Sequence, residues 1–124
     1  MNIKNKEELL KKIKKDGLSL AYASKELQND KDVVLVAISK SSRAIMYASE
    51  ELKNDREVLI YAVSKDAYNL NYASDELKNT KDVVIAALKN DGRSLYFASN
   101  ILREDKEIVK VAMENNLYLY IVLQ

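Results

Sequence analysis

The feature that most constrains this chain is a period of 25 residues. From Lys6 the sequence repeats without insertion or deletion, in units that open at Lys6, Lys31, Arg56, Lys81 and Lys106. The units cover residues 6–30, 31–55, 56–80, 81–105 and 106–124, the last one shorter, with five leader residues ahead of the first. A short unit of this kind cannot bury its own apolar face, so successive units must stack and bury it together. The expectation is one helical-repeat domain over residues 1–124, an all-α solenoid wound right or left, like HEAT or TPR arrays in principle but with shorter units.

Each unit reads as two short helices. Asp30, Asp55, Thr80 and Asp105 precede the first helix, and their side chains suit the free amides of a helix start. Glu7, Asp32, Glu57, Asp82 and Glu107 follow in the first turn, and Lys15, Lys40, Lys65 and Lys89 fall near the end, the charge order that the helix dipole favours. Asp16, Ser41, Asp66, Asp91 and Asn116 then mark a turn, with Gly17 and Gly92 completing two Asp-Gly breaks. The second helix carries an apolar stripe, Leu20, Tyr22, Ala23 and Leu27, and its equivalents in the next three units. One continuous helix would leave the runs VVLVAI and VLIYAV in water and every capping residue unused.

The first helices of the middle units are apolar nearly all round, for example Val33 to Ile38, and require cover on several sides from neighbouring units. Lys11 and Lys12 stand where the second unit has Val36 and Ala37, as a polar N-terminal cap should. Ala23, Ala48, Ala73 and Ala98 predict close backbone approach. Tyr22, Tyr47, Tyr72 and Phe97 predict a column of stacked core aromatics in which the ring matters and the hydroxyl does not. Ser24, Ser49, Ser74 and Ser99 fit packing or a bond back to a preceding carbonyl, since four copies of one residue cannot each be a nucleophile.

Composition removes most chemistry. The chain has no Cys, His, Pro or Trp and only two Gly, so it offers no thiolate, imidazole base, zinc or haem ligand set, or disulfide, and no phosphate-cradling glycine loop. The formal net charge of +1 supplies no global field for nucleic acid or anionic lipid. No apolar run approaches membrane-spanning length, and the opening MNIKNKEELL lacks the pattern of a secretory leader. The expectations are no enzyme activity, no cofactor, no metal, no membrane, and a cytoplasmic location. Recurrent carboxylates at helix starts and at Glu26, Glu51 and Glu76 suit dipole and inter-repeat pairing better than acid-base catalysis.

The run D-[KR]-[DE]-V-V-[LI]-x-A-[IVL], followed about five residues on by [LI]-x-Y-A-S-x-E-L, resembles a tandem helical-repeat family known as a domain of unknown function. The resemblance spans residues 6–124 and implies an all-helical array with no catalytic residue. Departures are Lys11 and Lys12, Ser41-Ser42 in place of Asp-Gly, Ile101 in place of Glu26, Glu51 and Glu76, and the last unit, which drops Tyr-Ala-Ser and ends in LYLYIVLQ.

Function can reside where the units differ. In the second helix the varying positions fall on one face: Leu18, Ala21 and Lys25; Arg43, Met46 and Glu50; Tyr68, Asn71 and Asp75; Arg93, Tyr96 and Asn100; Tyr118 and Ile121. Tyr, Arg and Met on such a strip are enriched at protein interfaces, which makes Arg43, Met46, Tyr68, Asn71, Arg93 and Tyr96 candidate partner-binding residues, with an ordinary solvated face as the alternative. Tyr118 and Tyr120 belong to an apolar C-terminal run that either seals the last unit or offers a surface for a homodimer or partner. Lys11, Lys12, Lys14 and Lys15, with Lys4, are candidate phosphate contacts for nucleic acid, against simple solvation of a capping helix. A chain so equipped acts by occupancy, as inhibitor, adaptor or scaffold; Lys- and Asn-rich usage suggests an AT-rich bacterial or phage genome and admits a phage-type blocker of a host enzyme.

Overall fold

The structure is a computed structural model that describes residues 2–116. Unit 1 comprises α1 (Lys6–Lys15), a 3₁₀ turn η1 (Gly17–Tyr22) and a single α-turn α2 (Lys25–Gln28). Unit 2 repeats this as α3 (Lys31–Lys40), η2 (Ser42–Tyr47) and α4 (Glu50–Lys53), unit 3 as α5 (Arg56–Lys65), η3 (Ala67–Tyr72) and α6 (Asp75–Lys78). Unit 4 follows with α7 (Lys81–Asn90), η4 (Gly92–Phe97) and α8 (Asn100–Arg103), and α9 (Lys106–Glu114) opens unit 5. Long helices pack side by side in one row, 3₁₀ turns in a second, and each short helix touches the long helix after it. The all-α repeat architecture follows from the period, as expected.

Local chemistry starts the long helices. Asp30, Asp55 and Asp105 accept from the amides of Val33, Val58 and Ile108 at 3.2, 3.1 and 3.1 Å, and Asn5 does the same for Glu8 at 2.9 Å. Thr80 does not: its hydroxyl donates back to the Glu76 carbonyl at 2.8 Å, and α7 has no side-chain cap.

The second half of each unit is not the single helix that the apolar stripe predicts. It breaks at Ala23, Ala48, Ala73 and Ala98, whose backbones are extended. The following Ser caps the short helix through Oγ, as Ser74 does for the Leu77 amide at 3.1 Å. Its own N–H leaves the unit altogether: Ser49, Ser74 and Ser99 donate to the carbonyls of Gln28, Lys53 and Lys78 in the preceding unit at 2.9, 3.0 and 2.9 Å. An amide committed to a neighbour cannot close an intra-unit helical bond, so the helix is interrupted there. Each of these hydroxyls also donates across the seam, to Asn29, Asn54 and Asn79 at 2.5, 2.6 and 2.6 Å. The repeated serines are therefore caps and inter-unit links, a role that packing or back-bonding alone does not describe.

In unit 1 the leader provides that carbonyl. Ile3 donates to the Tyr22 carbonyl at 2.7 Å, accepts from Ser24 at 2.8 Å, and forms the isolated parallel bridge with Ala23. Lys11 and Lys12, where the second unit has Val36 and Ala37, are exposed on α1.

A cation at the first position of each unit reaches the acid that starts the next. Lys6, Lys31 and Lys81 pair with Asp30, Asp55 and Asp105 at 2.8, 3.1 and 3.2 Å. Where Thr80 replaces the acid, the cation is Arg56, and it pairs with Asp82 instead.

The core is one continuous cluster running through the stack, from Leu9 and Ile13 through Leu59 and Val63 to Ile108. Two expectations change. The long helices of the middle units are not covered all round: Leu35, Val36, Ile60, Tyr61, Ile85 and Ala86 are half-buried, and Leu35, Val36 and Tyr61 with Ser39 and Glu57 line a groove of about 350 Å³. The Tyr column is not a core either. Tyr22 is 62% exposed, and Tyr47, Tyr72 and Phe97 are half-buried at the rim, because three residues per 3₁₀ turn put Leu20 and Ala23, Ile45 and Ala48, and Leu70 and Ala73 on the inward face and leave the rings off it.

The two glycines have a role other than breaking a helix. Neither has positive φ. A Cβ on Gly17 would overlap the Ala37 carbonyl oxygen, and one on Gly92 that of Ala112, so both residues permit close approach of the next long helix. Ser42 and Ala67 occupy the same place at the two middle seams.

Candidate functional site

The first two varying positions of each unit lie on the 3₁₀ turn, whereas Lys25, Glu50, Asp75 and Asn100 open the short helices beyond the break. Asp16, Asp66 and Asp91 fix the start of the turn by accepting from the amides of Leu18, Tyr68 and Arg93 at 2.9, 3.0 and 2.9 Å. Ser41 makes no such cap for η2. Between the first amide and the Ala-Ser break, Leu20, Ile45 and Leu70 point into the core and the varying side chains face outward. Arg43, Met46, Asn71, Arg93 and Tyr96 are exposed and Tyr68 is half-buried.

The structure gathers most of these residues into two adjoining concavities. A small cavity of about 140 Å³ is lined by Arg43, Tyr68, Asn69, Asn71, Tyr72 and Phe97 and spans units 2 to 4. A wider cleft of about 410 Å³ between units 3 and 4 shares Asn71 and Phe97 and adds Asp75, Lys78, Tyr96 and Arg103. The shared wall is aromatic: the Phe97 ring meets Tyr68 edge-on at 5.7 Å and Tyr96 at 5.3 Å. Guanidinium groups flank it, Arg93 at 5.9 Å from the Tyr68 ring centre and Arg103 at 5.8 Å from that of Tyr96. Met46 stands apart on unit 2 and lines neither concavity.

Charge in the strip is mostly paired. Arg43 reaches Asp66 at 3.3 Å, and Arg93 grips Asp91 through Nε and Nη2 at 2.8 to 3.2 Å. The Arg93 guanidinium holds the Asp91 carboxyl below its ordinary range, and Asp91 in turn raises Arg93.

Asn69 is the lining residue that periodicity does not reveal. It is 1% exposed, and its amide donates to the carbonyls of Ser42 at 2.6 Å and Ala62 at 3.0 Å, tying unit 2 to unit 3. Its Oδ1 has no partner among the described residues. Equivalent positions hold Ser19, Ala44 and Ser94, so the only signal in the sequence is one amide at a place otherwise small.

Lys11, Lys12, Lys14 and Lys15 are all exposed on α1, on the unit farthest in sequence from the aromatic wall, and the structure does not join them to the strip. Tyr118 and Tyr120 lie outside the described residues, as does the surface assigned to a homodimer. Among the described residues no helix is long and apolar enough to cross a membrane.

Four overlapping stretches, residues 5–53, 37–78, 55–103 and 80–122, match the family described as a domain of unknown function (DUF4116), and the chain belongs to that family. No curated protein and no solved structure matches it.

Proposed function

We propose that this member of the repeat family is a non-enzymatic protein-binding module that acts by occupancy, as an inhibitor, adaptor or scaffold in the cytoplasm. One observation carries the reading. Most residues that recur every 25 positions lie in the core and the seams, whereas the varying Tyr68, Arg93 and Tyr96, with Arg103 and with Phe97 from the recurring rim column, surround adjoining concavities. Rigid aromatic rings bury large area at small entropic cost and guanidiniums add oriented donors, which is why such groups dominate binding energy at protein interfaces. The seams supply the rigidity, because each unit is hydrogen-bonded to the one before.

The test is retention of a host protein on the immobilised chain, compared with a Tyr68→Ala/Tyr96→Ala variant. Both rings sit on the rim, so far-UV circular dichroism should be unchanged while capture of that protein falls at least tenfold. Equal capture by the variant rejects the reading. Retention of an oligonucleotide that requires Lys11, Lys12 and Lys15 and collapses with added salt would favour backbone binding through α1 instead.

A further inference from the structure

The short helix of the fourth unit departs from those before it. In units 2 and 3 it reads Glu50-Glu51-Leu52-Lys53 and Asp75-Glu76-Leu77-Lys78, two acids and one lysine each; in unit 4 it reads Asn100-Ile101-Leu102-Arg103, with no acid and one arginine. Leu52, Leu77 and Leu102 are buried alike, so the exchange leaves the packing side of the turn intact and changes only what faces water.

Three observations converge there. Ile101 is 72% exposed and Tyr96 73%, the two most exposed large apolar side chains among the described residues. Arg43, Arg56 and Arg93 each pair with a carboxylate, whereas Arg103, among the described residues, has only the Tyr96 ring. The cleft beside it holds Lys78, Arg103 and a single acid, Asp75, and is therefore net positive.

We propose, resting on the protein-binding reading above, that the cleft between units 3 and 4 seats an acidic segment of a protein partner. A carboxylate pairs with the Arg103 guanidinium, and a neighbouring apolar side chain covers Tyr96 and Ile101. A guanidinium held near a ring face by cation–π attraction keeps its N–H donors free for a planar carboxylate. Asp75 in the same cleft opposes a doubly charged phosphate more strongly than a singly charged carboxylate. At the seam between units 2 and 3 the short helices on both sides, α4 and α6, are acidic, which disfavours the same segment there, whereas at the seam between units 3 and 4 only α6 is.

The whole chain is panned against a random dodecapeptide library, and recovered peptides are measured by titration calorimetry. The decisive variant rewrites α8 as α6, by Asn100→Asp, Ile101→Glu and Arg103→Lys, a sequence this fold already accommodates one unit earlier. Peptides rich in Asp or Glu next to an apolar residue are expected, bound at least tenfold more weakly by the rewritten chain and more weakly in high salt. No recovered peptide, peptides without acid enrichment, or equal binding by the rewritten chain would overturn the proposal. So would an oligonucleotide or anionic vesicle that binds the native chain more tightly than the peptides and is lost in the rewritten one. Peptides lost with Tyr68→Ala/Tyr96→Ala yet kept by the rewritten α8 refute the acidic anchor and leave the wider reading standing; peptides indifferent to both variants refute the two together.

Discussion

Between units 2 and 3, Ser74 donates to Lys53 through its backbone and to Asn54 through its hydroxyl, and the same pair of bonds recurs 25 residues earlier and later. On the outer strip the matching places read Leu18, Arg43, Tyr68 and Arg93, with no two consecutive units alike. Seam and strip belong to the same segment of chain, yet one tolerates almost no change and the other almost any. The seam residue has two neighbours to satisfy, its own helix and the preceding unit, so its chemistry is fixed twice over. The strip residue meets at most an exposed ion pair or ring contact and otherwise solvent, or whatever binds there.

The contrast can be broken at its strongest point first. Leu59→Ala empties a fully buried place in the central long helix and should cost about 2–5 kcal/mol in urea unfolding, whereas Tyr96→Ala on the strip should stay within about 0.5 kcal/mol. A strip variant as damaging as the core one would mean that the ring is part of the fold.

Gly17→Ala and Gly92→Ala drive a Cβ into the next helix's carbonyl and should cost about 1–3 kcal/mol, with the thermal midpoint as the measure. Ala67→Gly, the converse change at a middle seam, should cost about 0.5–1 kcal/mol. Glycine variants that lose less than about 0.5 kcal/mol would show that the end seams have room for a Cβ after all. Ser49→Ala, Ser74→Ala and Ser99→Ala should each cost about 1 kcal/mol through the lost cap, and closely similar values would sharpen the view that the seam is periodic in energy as well as in shape.

The smallest effect is electrostatic. Hydrogen bonds from Lys6, Arg56 and Arg93 hold Asp30, Asp82 and Asp91 below their ordinary carboxyl range, and the Ile108 amide, followed by Lys81, does so for Asp105. A carboxyl whose folded pKa is depressed stabilises the fold above its unfolded value and loses that contribution as pH falls through the folded one. The thermal midpoint should therefore be flat from neutral pH down to about pH 5 and decline below about pH 4. Because these groups are solvated, the decline should shrink in high salt; an insensitive midpoint would remove the ion-pair row from the account of the seam.

Much of this molecule was legible before any coordinates. Asp30, Asp55 and Asp105 act on amides three residues away, and Val33, Val34, Ala37 and Ile38 share a face through helical spacing, so local chemistry and a period of 25 were enough to reveal helices, units and stacking. They also marked the outward strip, because residues excluded from a shared core are free to vary. What the tertiary structure alone decided depends on partners 20 to 27 residues away. Ser74 interrupts a helix because its amide belongs to Lys53; Gly17 is small because of Ala37; Tyr22 is at the rim although it falls in the apolar stripe; Asn69 ties Ser42 to Ala62. Propensity and capping act over one turn of chain, but a hydrogen bond or a clash between units exists only once the units are stacked, and that is where the two adjoining concavities were made.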